Sequence, residues 1–161
     1  MLDTDAVTAG EILRQLPAAA VELPRFGLAE AADRQLPQVA GPAADGLIYP
    51  SPGPAPEDLP SAGNFAARYQ ALAGVPPSPR AALAYDAAQI LLDSIEKTIQ
   101  MDRKWYNNSP SREKVSSALH TITYIGNSGS IAFDQQGRRI SPPTWLYQIS
   151  FSAYPGSGVA P

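Results

Sequence analysis

The chain has 161 residues, a size that suits one ordinary hydrophobic core. Twelve lysines and arginines stand against fifteen aspartates and glutamates, which argues against nucleic acid as a partner, because phosphate binding needs a clustered basic face. Cysteine is absent, so disulfides, thiolate metal sites and a cysteine nucleophile are excluded.

Proline is in excess, at 17 residues. Five fall between Pro50 and Pro60, and none lies between Pro79 and Pro110. The cluster reads as a loop or a stiff connector, the gap as a long helix. No stretch reaches the ~18 consecutive apolar residues of a membrane helix. The start, Met1-Leu2-Asp3-Thr4-Asp5, is acidic where a signal peptide is basic. The chain therefore stays in the cytoplasm or is a piece of something longer.

Residues 4–16 are expected to be helical, capped by Thr4 or Thr8, with Val7, Ala9, Ile12, Leu13 and Leu16 inward. Phe26-Gly27 is a candidate strand end, and residues 29–39 are weakly helical. Gly46-Leu47-Ile48-Tyr49 reads as a short buried strand ending at Pro50. Residues 61–73 form a helix capped by Ser61, with Phe65, Ala66, Tyr69, Leu72 and Ala73 on one face and Gly74 terminating it.

Ser78-Pro79 starts the longest helix, through about Ile99. Its inward stripe is expected to be Tyr85, Ala88, Leu92, Ile95 and Ile99, widened by Ala84 and Leu91. Residues 100–109 are polar and turn-rich, with Trp105 and Tyr106 among them. Ser109-Pro110 starts a further helix, to about His120. Asn127-Ser128-Gly129 is a turn and residues 130–133 a short strand. Residues 144–151 alternate as a strand with Trp145, Tyr147, Ile149 and Phe151 on one face. The last ten residues read as a frayed tail. The whole is an α/β pattern.

No catalytic constellation stands out. The single histidine, His120, sits near a helix end, where the dipole favours it, and no Gly-x-Ser-x-Gly elbow occurs. Aromatic side chains are better candidates for ligand contact: Tyr49 where a strand meets the proline run, Tyr85 at the start of the long helix, and Trp105 and Tyr106. Glu30 is an acid among alanines.

Four segments in order carry a resemblance. They are Ala40-Gly41-Pro42-Ala43-Ala44-Asp45-Gly46-Leu47-Ile48, Phe65-Ala66-Ala67-Arg68-Tyr69, Ser78-Pro79-Arg80-Ala81-Ala82-Leu83-Ala84-Tyr85-Asp86-Ala87-Ala88, and Gly129-Ser130-Ile131-Ala132-Phe133-Asp134-Gln135-Gln136-Gly137-Arg138. Together with residues 111–119 they make the chain resemble the C-terminal half of type I periplasmic solute-binding proteins, the branched-chain amino-acid group that feeds ABC transporters. The resemblance implies a partial fold of Rossmann-like lobes, with a mostly parallel sheet, flanking helices and the N-terminal half absent.

On that reading residues 1–48 end the distal lobe and 49–128 belong to the first lobe. Residues 129–151 cross back, and 152–161 are a flexible tail. The resemblance further implies a non-catalytic binder of amino acids or related polar or aromatic solutes, periplasmic or extracellular, with an ABC permease or a receptor membrane component as partner and no cofactor or metal. Glu30, within one residue of the matching place, would face the ligand ammonium. Tyr49, Ser51 and Tyr85 complete the ligand-binding set. A sensor domain on a receptor or kinase is the alternative, and a small α/β hydrolase using His120 a more distant one. Half of such a fold would leave apolar surface uncovered, which implies a homo-oligomer for the isolated chain.

Overall fold

The computed structural model describes residues 1–17, 23–31, 33–55, 58–59, 64–101 and 110–159. Ser61, Trp105, Tyr106 and Ser109 fall outside the described residues. The chain divides into two compact units: Met1–Ala55 with Thr144–Pro161, and Pro56–Pro143.

The first unit begins with α1 (Ala6–Gln15). Asp5 caps it in place of either threonine. One carboxylate oxygen accepts from the backbone N–H groups of Val7 and Thr8 at 3.0 and 3.1 Å, the other from the Thr8 hydroxyl at 2.8 Å. These bonds, the Thr8 N–H foremost, hold the Asp5 carboxyl below its usual range. α1 buries Ala6, Ala9, Gly10 and Leu13, while Val7 and Ile12, expected inward, are exposed. The reason lies at Gly10: a Cβ there would sit 2.8 Å from the Val39 Cβ, so α1 approaches α2 (Gln35–Ala40) on its small-residue side.

The sheet has the order β1 (Arg25–Phe26), β2 (Leu47–Ser51), β5 (Trp145–Ser150), β6 (Ala153–Gly158). It is mixed. β1 and β2 run parallel, joined by a crossover through α2, whereas β5 is antiparallel to both β2 and β6. Arg25 locks that crossover. Its two terminal nitrogens donate to the Ala43 and Asp45 carbonyls, each at 2.7 Å, and so hold the 3₁₀ turn Gly41–Ala44.

Two expectations are corrected here. β2 does not end at Pro50, because its register with β5 continues to Ser51 opposite Trp145. The expected frayed tail contains β6, which pairs Ser157 with Gln148 and Gly158 with Tyr147. The turn between them is Phe151 and Ser152, both at positive φ, and the Ser152 N–H donates to Asp45 Oδ1 at 2.7 Å. Leu47, Tyr49, Tyr147 and Ile149 of the sheet pack with Leu13 and Leu36 to form this unit's core.

The second unit contains α3 (Phe65–Ala73), α4 (Pro79–Met101), α5 (Arg112–Leu119) and the hairpin β3 (Tyr124–Gly126) with β4 (Gly129–Ile131). Gly74 ends α3 at φ +72°, as expected, and its N–H donates to the Gln70 carbonyl. Ser78 Oγ caps α4 by accepting from the Ala81 N–H, and Ser111 Oγ caps α5 by accepting from the Lys114 N–H.

α4 overturns the sequence reading of its faces. The buried residues are Ala82, Asp86, Ile90, Ser94 and Thr98, while Ala84, Ala88, Leu91 and Leu92 of the expected inward stripe are exposed. Ser94 and Thr98 tolerate burial because each hydroxyl donates to the carbonyl four residues back, at 2.7 Å. Asp86 is satisfied by the hairpin, as described next.

Candidate functional site

In the first unit the parallel register Arg25↔Leu47 and Phe26↔Ile48 places the carboxyl ends of β1 and β2 on one edge. Residues 27–30 leave β1 there, and residues 52–55 leave β2. Loops at the carboxyl ends of parallel strands are where open α/β sheets hold ligands. Glu30 is exposed on the first loop, in a turn closed by the Ala31 N–H on the Leu28 carbonyl at 3.1 Å.

Tyr49 and Ser51 point the other way. Strand periodicity sets both on the face of Leu47, which is buried. Tyr49 is 1% exposed, its ring stacks on Tyr154, and its hydroxyl donates to the Pro155 carbonyl at 2.6 Å. Ser51 Oγ donates to the Gly53 carbonyl at 2.8 Å. Opposite them, the Tyr147 hydroxyl accepts from the Ala55 N–H at 2.6 Å. Ser51 and Tyr147 thus pin the loop after β2 at both ends, and Tyr49 supports the strand beneath it. Their chemistry here is to shape backbone. The Tyr147 bond was not anticipated, since alternation along β5 predicts that tyrosine's burial and not its partner.

Tyr85 lies in the second unit. It is half-buried, with its ring 5.0 Å from that of Phe65. The next residue organises that unit. Asp86 is wholly buried, and its Oδ1 accepts from the Asn127 N–H and Nδ2 at 2.9 and 3.1 Å. Its Oδ2 accepts from the Ser128 N–H and Oγ, both at 2.7 Å. Arg139 backs the same turn by donating to the Ser128 and Ser130 carbonyls at 2.8 and 2.9 Å. Burial first, and then the neighbouring Asp86, raise the Tyr124 hydroxyl above its usual pKa. His120, the residue a hydrolase would need, is exposed, with Nδ1 2.9 Å from the Asp134 carbonyl oxygen.

The amino-acid sequence itself matches a known profile. That of the periplasmic binding proteins matches residues 4–155. The chain belongs to this family. No curated protein sequence matches it. Among solved structures, the leucine-binding protein of Thermotoga maritima is similar at 25% identity and a TM-score of 0.77, over 92% of this chain and 40% of that one. A branched-chain amino acid transporter substrate-binding protein of Streptococcus pneumoniae, in complex with isoleucine, is similar at 20% identity and a TM-score of 0.74, over 98% and 43%. An extracellular ligand-binding receptor of Rhodopseudomonas palustris gives 19% identity, a TM-score of 0.74, and 97% and 46%.

This periplasmic binding protein chain therefore spans less than half the length of the solved relatives it matches. The fold is a partial periplasmic binding protein fold. The family is one of solute-binding proteins.

Proposed function

We propose that this chain forms the C-terminal half of an extracytoplasmic solute-binding protein. Its ligand is an amino acid or a close analogue, passed unchanged to an ABC permease. The ligand is held in a cleft of the whole two-lobed protein. The observation that carries this reading is the loop pair at the carboxyl ends of β1 and β2, one pinned by Ser51 and Tyr147, the other exposing Glu30. A pinned loop costs little to order on binding. A free carboxylate is the natural acceptor for an ammonium group. Tyr49 and Ser51 then serve the site by shaping the strand and loop beneath it.

Titration calorimetry on the chain assembled with the remainder of the two-lobed protein tests the role of Glu30. Glu30→Gln is expected to weaken an amino-acid ligand about tenfold or more, roughly 1.4 kcal/mol, and to leave the corresponding keto acid unaffected. Equal losses for both ligands, or none for the amino acid, would remove Glu30 from the site. The receptor name carried by one structural neighbour supports a second reading, a sensor domain, which differs in its membrane partner and not in its ligand chemistry.

A further inference from the structure

Three polar side chains on the covered face of the first unit's sheet spend their hydroxyls inside the protein. Tyr49 donates to the Pro155 carbonyl, Ser51 donates to the Gly53 carbonyl, and Tyr147 accepts from the Ala55 N–H. Trp145 shares that face, since the register sets it directly opposite Ser51 on β2. Its own polar group is different. The indole Nε1–H is buried and has no acceptor, and it is the one side-chain nitrogen or oxygen so left among the described residues of this unit. An indole nitrogen only donates, so an acceptor has to come to it. A buried donor without one is a standing cost to the fold, and the bond it makes in a low dielectric is a strong one.

The position of Trp145 indicates where that acceptor comes from. Ser51 ends β2 and Trp145 begins β5, so the indole lies at the same sheet edge as the loop that carries Glu30. The residue as a whole is half-buried, so the covered N–H lies close below the surface there. β1 and β5 flank β2, which sets them about 10 Å apart at the usual strand spacing. An amino acid whose ammonium meets Glu30 carries its α-carboxylate too near that ammonium to reach across two strand spacings. An oxygen at the end of its side chain reaches further. We infer that Trp145 is a further specificity-determining residue of the site, its N–H donating to a side-chain carbonyl or carboxylate oxygen of the ligand. On the reading of this chain as part of an amino-acid binder, the ligand class is then glutamine-like or glutamate-like. A leucine-like side chain would leave the donor unpaired.

Titration calorimetry on the chain assembled with the remainder of the two-lobed protein tests this, with glutamine, glutamate and leucine as probes. Glutamine or glutamate is expected to bind at least about tenfold tighter than leucine. Trp145→Phe is expected to erase that preference by weakening the polar ligand alone. The unaltered protein gives a second readout by nuclear magnetic resonance: the Trp145 indole N–H proton is expected to move downfield in the complex with the polar ligand. Tighter binding of leucine, or equal losses for all three probes in Trp145→Phe, would overturn the inference and leave the amino-acid reading standing. So would an unmoved indole proton in that complex, because a buried water would then be the acceptor. Binding of no amino acid would overturn the amino-acid reading and the inference with it.

Discussion

Replacing Asp86 with alanine is expected to cost about 3 kcal/mol or more of unfolding free energy, because it strips a buried turn of its only charged acceptor among the described residues. The carboxylate is 0% exposed and takes four hydrogen bonds from two consecutive residues, Asn127 and Ser128. Two of the donors are backbone N–H groups that cannot turn away to water. Each buried donor left without an acceptor costs ~1–3 kcal/mol, and alanine also opens a cavity between α4 and the hairpin. Asp86→Asn keeps the volume but turns an NH₂ toward two donors, so most of the loss is expected there too. Urea unfolding followed by far-ultraviolet circular dichroism reads both variants. A loss under about 1 kcal/mol for Asp86→Ala would mean that water replaces the carboxylate.

Gly126→Ala is the second large effect. The Cβ of any residue at position 126 would fall inside the Asp86 carboxylate, nearest its Cγ and both oxygens. The backbone of Gly126 is not in the left-handed region, so the cost is steric and not conformational. Overpacking against a group held by four hydrogen bonds is expected to cost about 2–3 kcal/mol. The cause is separable by a double-mutant cycle. With Asp86 already alanine, the methyl group of Gly126→Ala meets open space and should cost little, giving an interaction energy of about 2 kcal/mol. Additive losses would place the strain elsewhere.

These two positions also show where sequence reading stops. Local signals were legible: the Ser78-Pro79 helix start, the Gly74 terminus and the alternation of Tyr147 and Ile149 all hold in the structure. The fold class and the family followed from segments kept in order. The stripe on α4 was also correctly found as a stripe. Amphipathicity, however, reports which face is apolar, not which face meets the residues at hand, and here Asp86 anchors the opposite face to a turn 41 residues away.

β6 escaped for a related reason. Ala153-Tyr154-Pro155-Gly156-Ser157-Gly158 has little strand propensity beyond Tyr154, and the hairpin turn at Phe151 and Ser152 carries none of the usual Asn-Gly chemistry. Its pairing is supplied by the β5 backbone. For the candidate site, period-two geometry already put Tyr49 and Ser51 on the side of Leu47. That parity buries both side chains beside Leu47. Glu30 stands as an acid among alanines in the sequence, and the structure exposes it on the loop after β1.

The central claim is that this chain helps to hold a small amino-acid-like solute and does not transform it. Equilibrium dialysis of the chain, assembled with the remainder of its fold, against a mixture of radiolabelled amino acids tests that claim, with chromatography of whatever is released on denaturation. The account predicts stoichiometric retention of one or a few amino acids, recovered chemically unchanged. Retention of none, or recovery of a converted product, would contradict it.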